Sequence, residues 1–98
     1  MPAIRLSRRA EDDLLNIGEY TRRTWGEAQS DRYIDKLELC CRRRARNPKL
    51  GRPCDDIRRG WRRLEHGRHV ILYRQDRHGI LISRILHQRM LPGRYPTD

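Results

Sequence analysis

The sequence predicts an α+β fold: an N-terminal strand, an antiparallel helical hairpin, then a three-stranded antiparallel meander. Three observations predict it. Two stretches place apolar residues at three- and four-residue steps, the mark of amphipathic helices. A single Trp25-Gly26 break separates them. Beyond a loop rich in Pro and Gly, three short apolar runs follow in quick succession, divided by turn residues.

The elements follow in order. Ile4 and Leu6 alternate with Ala3 and Arg5, which predicts a short first strand. Ser7 stands at an N-cap position, with Glu11, Asp12 and Asp13 near the positive end of the helix dipole. Ala10, Leu14, Ile17 and Thr21 form the buried stripe of a helix over about 8–24. A second helix over roughly 27–46 carries the stripe Ser30, Ile34, Leu37, Cys41 and Ala45, with Tyr33 and Cys40 on its flank. Arg42, Arg43, Arg44 and Arg46 complement the dipole at its end, and Asn47-Pro48 stops it. So short a link makes the two helices an antiparallel hairpin.

Residues 48–60 hold Pro48, Gly51, Pro53 and Gly60 and read as a loop. Strands are expected at about 61–65, 68–74 and 80–87, with His66-Gly67 and Gln75–Gly79 as the two turns. The tail from Pro92 to Asp98 reads as irregular.

Both parities of the last two strands are apolar. Ile80, Ile82 and Leu86 alternate with Leu81 and Ile85, and Ile71 and Tyr73 alternate with Val70 and Leu72. A sheet with helices on one side should show a polar second face. Two readings account for the difference: another protein chain covers that face, or the loop at 48–60 and the tail fold over it. Exposure of Val70, Leu72, Leu81 and Ile85 separates them.

Ninety-eight residues suffice for one domain, spanning 1–98, with a thin core: the hydrophobic fraction is 36%, the charged fraction 37%, and there is no Phe. The formal net charge of +10 calls for a polyanion or an acidic protein surface as partner. It is uneven: +3 over residues 1–47 and +7 over 48–98. Nearly all of it is Arg, which suits bidentate grips on carboxylate and phosphate, although GC-rich coding also replaces Lys with Arg. Cys40, Cys41 and Cys54 lack metal or disulfide spacing and fit a reducing cytoplasm. The N-terminus turns charged before any signal-like stretch develops, and no apolar run is long enough to span a membrane.

The common phosphate-loop, dinucleotide, zincin and serine-hydrolase motifs are absent, so no cofactor is expected. His66, His69, His78 and His87 lack partners at ligand spacing, and no metal site is expected. The remaining candidates for chemistry are Arg84 and His87 near the end of the last strand, with Glu65, Arg68 and Tyr73 on its neighbours. Such a set can cleave RNA without metal, with a base on the 2′-OH, an acid on the leaving oxygen and Arg steadying the phosphorane. Alternatively, Arg84 holds an anion or partner and His87 merely packs. Arg58-Arg59-Gly60-Trp61-Arg62-Arg63 suits nucleic acid or an acidic segment, unless Trp61 is a core anchor.

Several segments resemble ParE-type toxins when taken together. Leu14, Ile17, Tyr20 and the Trp25-Gly26 break, followed by Gln29, Tyr33 and Leu37, are similar to their helical hairpin. Asn47-Pro48-Lys49-Leu50-Gly51-Arg52 resembles their NPxxGR loop, and His69-Val70-Ile71-Leu72-Tyr73-Arg74 their second long strand. Arg84-Ile85-Leu86-His87-Gln88-Arg89-Met90 resembles their RILHxRM ending. The similarity covers about residues 3–91.

The resemblance implies a RelE/ParE-like toxin domain in a type II toxin–antitoxin system that causes growth arrest and serves plasmid stabilisation. It implies DNA gyrase as target, so a protein inhibitor rather than an enzyme. The implied partner is a ParD-like antitoxin in a hetero-oligomer, with operator DNA met only through that antitoxin and no membrane. Arg84, His87, Arg89 and Met90 are the implied toxicity residues, and Tyr33, Leu37, Leu72 and Arg74 the candidate antitoxin contacts. The alternative is a metal-independent, ribosome-associated mRNA endoribonuclease of RelE type, with Arg84 and His87 catalytic. Lys49 is the sole lysine after residue 36, so the Lys-rich element of RelE is missing. A toxin that has lost activity but still binds its antitoxin is the third reading.

Overall fold

The computed structural model describes residues 3–89. Strand β1 (Ala3–Leu6) leads into helix α1 (Arg8–Trp25), and helix α2 (Glu27–Arg46) follows. A single 3-10 turn (Pro48–Leu50) precedes β2 (Arg52–Pro53), β3 (Trp61–His66), β4 (His69–Asp76) and β5 (Gly79–His87). The sheet order is β1-β5-β4-β3-β2, with β1 parallel to β5 and every other pairing antiparallel. The expected hairpin and meander are both present. The expectation for the tail 92–98 lies outside the described residues.

Local chemistry explains the helix ends. Ser7 caps α1, its Oγ accepting from the Ala10 amide at 3.1 Å. Gly26 has φ +92°, open to glycine, so the chain reverses within one residue and α2 folds back along α1. Ser30 Oγ then donates to the Gly18 carbonyl at 3.0 Å across the hairpin.

The core has two parts, one on each face of the sheet. Beneath the helices, Ala10, Ile17, Leu37, Cys41 and Ala45 meet Leu64, Ile71, Tyr73, Ile80, Ile82 and Ile85. On the opposite face Cys54, Trp61, Val70, Leu72 and Leu86 form a smaller cluster, with Ile57 packed against it. The second apolar parity is therefore covered from within: the 48–60 segment folds across it, and no second chain is needed to bury Val70 or Leu72. Trp61 is 3% exposed and anchors this cluster, with the guanidiniums of Arg58 and Arg74 each 5.8 Å from its ring centroid.

One irregularity corrects the strand parity read from the sequence. Leu72 pairs with Arg84 but Tyr73 pairs with Ile82, so Ser83 is an extra residue in β5. The bulge reverses alternation beyond it. Ile85 joins Ile80 and Ile82 under the helices, whereas Leu86 turns to the smaller cluster.

Residues 48–60, expected to be loop, also supply β2 as a short edge strand. The preceding turn is tied to the sheet by Tyr73, whose hydroxyl donates to the Pro48 carbonyl at 2.6 Å and accepts from the Gly51 amide at 3.0 Å. A Cβ at position 51 would collide with the Tyr73 ring. This is why the Asn-Pro-x-x-Gly-Arg stretch needs its glycine.

Candidate functional site

Three of the sequence candidates, Tyr33, Arg68 and His87, meet at one end of the sheet. There the β3–β4 turn and the end of β5 meet the last turns of α1 and the first turns of α2. Between them lies a groove of about 620 Å³.

Tyr33 and three histidines stack at this end. His69 and His87 are Cα partners across β4 and β5, with rings edge-on at 5.7 Å. The Tyr33 ring lies 5.5 Å from that of His69 and 5.8 Å from that of His66. Its hydroxyl is 2.5 Å from His69 Nδ1 and 3.3 Å from the His66 carbonyl.

Burial, with His87 and His66 alongside, pushes the His69 pKa down to about 4, and burial pushes the Tyr33 hydroxyl up. Both are neutral at pH 7. The one Tyr33 proton is donated to the His66 carbonyl, and the His69 tautomer with Nδ1–H satisfies the second contact by donating to the Tyr33 oxygen. Gly67, at φ +56°, lets the turn pass over the Tyr33 hydroxyl, where a Cβ would come within 2.9 Å.

Arg84 is held in a different way. Its Nε and Nη2 donate to the two oxygens of Asp13 at 2.8 and 3.0 Å, and the Ile85 amide donates to Asp13 Oδ2 at 3.0 Å. The two side chains are 12% and 14% exposed. The reason lies in the sheet edge. β1 ends at Leu6, so the outer side of β5 beyond Ile82 has no strand beside it. Ser7 Oγ donates to the Ser83 carbonyl at 2.7 Å and Asp13 takes the Ile85 amide, so the start of α1 completes the ladder.

The other candidates disperse. His87 is half-buried beside the groove, and its Nδ1 accepts from the Arg89 amide at 3.2 Å. Arg89 is exposed, and Met90 lies outside the described residues. Glu65 pairs with Arg52 and Arg63, and Tyr73 is fully buried under the 48–51 turn, so neither joins His87. Arg84, His87, Glu65, Arg68 and Tyr73 do not form one cluster.

Among the candidate antitoxin contacts, Leu37 and Leu72 are each 1% exposed and packed in the core, Leu37 also lining a groove between β1, α1 and α2. Tyr33 is half-buried and Arg74 exposed. Sequence reasoning missed Asp13, read only as a helix-start charge, and His69, whose partners lie on other elements. It also treated Trp25 only as part of a break, although its ring lines the groove 63% exposed.

A second groove, of about 460 Å³, opens between β1, α1 and α2. Ile4, Leu6, Leu14 and Ile34 line it, with Arg42 and Arg46 among its polar residues. Among the described residues, no group of three or more His, Cys, Asp or Glu is placed to hold a metal, and no helix is long and apolar enough to cross a membrane.

Comparison with known proteins gives a consistent picture. The family model described as ParE toxin of type II toxin–antitoxin system, parDE, matches residues 4–92. Toxin ParE1 of Mycobacterium tuberculosis is 41% identical over 86 residues, covering 87% of this chain and 88% of that protein. Toxin ParE1 of Caulobacter vibrioides is 39% identical over 90 residues, covering 92% and 93%. Among solved structures, a chain of the chromosomal ParDE TA system from P. aeruginosa superposes with a TM-score of 0.75 at 21% identity, covering 89% of this chain and 96% of that one.

Proposed function

The chain belongs to the ParE toxin family of type II toxin–antitoxin systems, and from that premise we propose that it inhibits DNA gyrase without enzymatic chemistry and is neutralised by a ParD-like antitoxin. The whole chain, 1–98, acts as one toxin domain in the cytoplasm, where both partners meet it.

The Asp13–Arg84 pair carries this reading. An RNA-cleaving site of the kind considered from the sequence needs Arg84 to steady a phosphorane. Here that guanidinium is spent on a carboxylate, both groups being largely buried. Withdrawing it for substrate would strand the Asp13 charge. His87 and Arg89 stay available as contacts to the target, by position in the family's C-terminal stretch, with Met90 proposed alongside them.

Neutralisation has its own physical support. The groove between β1, α1 and α2 offers an apolar floor beside Arg46 and the exposed Arg42–Glu38 pair, a net positive rim. A helical segment with an apolar stripe and acidic flanks matches both features. We assign this groove to the antitoxin, in a hetero-oligomer that meets operator DNA only through the antitoxin.

The test is direct. Purified toxin is incubated with gyrase, supercoiled DNA and ATP, and linear cleaved DNA is sought on a denaturing gel. A parallel reaction contains translating ribosomes and a reporter mRNA. Trapped cleavage complexes with intact mRNA are expected. Cut mRNA with gyrase unaffected would overturn the proposal in favour of an endoribonuclease.

A further inference from the structure

The groove at the sheet end has a chemistry that gyrase inhibition and antitoxin binding leave unused. Five of the six aromatic residues fall among the described residues. Trp61 and Tyr73 are buried and Tyr33 is half-buried. The two exposed rings, Tyr20 at 67% and Trp25 at 63%, both line this one groove. Leaving two large rings in water on the same wall forgoes burial that a core of this size needs, so their place is informative.

The electrostatics of the walls point the same way. Among the described residues Asp13 is the sole carboxylate lining the groove, and Arg84 and the Ile85 amide already engage it. Arg68 stands exposed on the lip, and His69 is uncharged at neutral pH. An anion therefore meets a cation there and no unpaired negative charge from the lining. Asn16 and Gln29 add side-chain amides of the type that pair with base edges.

We propose that this groove binds a single-stranded polynucleotide, an unpaired base stacking on Trp25 or Tyr20 and its phosphate pairing with Arg68. Open bases present flat faces to exposed rings, whereas a duplex keeps its bases stacked against one another. The volume lies within the range of small-molecule sites and suits one nucleotide at a time. An acidic peptide is the weaker occupant, because the groove floored by aliphatic side chains beside Arg42 and Arg46 fits it better. This site does not depend on gyrase being the target: the DNA and RNA forms of the ligand share the same stacking and phosphate chemistry.

The full-length protein carries its own reporter. Trp61 is 3% exposed, so quenching of tryptophan emission by an added oligonucleotide reads out Trp25. Oligothymidylate, oligouridylate, a DNA duplex and polyglutamate are titrated separately, and a labelled oligonucleotide gives affinities by anisotropy. Saturable quenching by one or both single strands is expected, weakening as salt rises. Trp25→Leu and Arg68→Ala should each lower affinity by about tenfold, the scale of one lost stack or phosphate contact. Arg59→Ala, the same charge loss on an exposed residue outside the groove, should change it by no more than about twofold. Circular dichroism confirms that each variant is folded. The two single-strand titrations decide between DNA and RNA as the source. Equal binding of duplex or polyglutamate, no quenching at low salt, or equal losses in Arg59→Ala and Arg68→Ala would overturn the proposal. Gyrase trapping scored on the same variants keeps the two questions apart.

Discussion

Asp13 closes the sheet edge at Arg84: one carboxylate accepts from the Arg84 guanidinium at 2.8 and 3.0 Å and from the Ile85 amide at 3.0 Å. A residue on the second turn of α1 thereby fixes the position of the last strand, 71 residues further along the chain.

Asp13→Ala removes three acceptor contacts at once and leaves a largely buried guanidinium without its carboxylate. We expect a loss of about 2–4 kcal/mol in urea unfolding, as for other broken buried pairs. Arg84→Ala should cost a similar amount. The double variant should cost less than the two single losses together, because the pair is coupled. Additive losses would show that the contact contributes nothing of its own.

Tyr73→Phe keeps the ring but leaves the Pro48 carbonyl and the Gly51 amide without their partner. A loss of about 1–3 kcal/mol is expected, the scale for a buried group left unsatisfied. Gly51→Ala should be at least as damaging, since its Cβ meets the Tyr73 ring rather than open space. Thermal unfolding of both variants checks the order.

Acid should weaken the fold through His69. Its pKa is about 4 when folded against an ordinary 6.5, with Tyr33 from α2, His66 from β3 and His87 from β5 facing it. A lowered histidine pKa means that the unfolded chain takes the proton first. Stability should therefore fall as pH drops from 6.5 towards 4, with no contribution above and no further slope from this group below. After discounting for solvent screening at this half-buried site, the loss is on the order of 1–2 kcal/mol. Urea midpoints across that range should fall less in His69→Gln, and an equal fall would assign the slope to other groups.

Ile34→Glu places a negative charge in the groove proposed for the antitoxin, on a half-buried position. Affinity for a cognate antitoxin, measured by calorimetry, should fall by more than about tenfold, the consequence of an unpaired charge at a desolvated contact. Gyrase trapping should persist. Loss of trapping with antitoxin affinity intact would assign this groove to the target instead.

The elements were legible because each is set by near neighbours in sequence. The stripe Ala10, Ile17, Thr21 and the stripe Ser30, Leu37, Cys41, Ala45 are buried as their spacing predicts. Ser7 and Gly26 mark the helix ends by local backbone chemistry. The candidate site was legible only in part. His87 and Tyr33 reach the same groove, Leu37 lies in the core and lines the other groove, and Leu72 packs on the opposite sheet face, because an apolar residue reads the same whether a partner or its own chain covers it.

By itself, then, the sequence determined the order and type of the elements, the charge and the family resemblance, all properties of short-range pattern and composition. Tertiary structure alone decided what covers the second sheet face, where the Ser83 bulge reverses parity, and whether Arg84 is free to meet an anion. Those depend on contacts between residues far apart in the chain, such as Trp61 under Arg74, Tyr73 under Pro48 and Asp13 against Arg84. No local periodicity encodes which distant side chain arrives to satisfy a buried group.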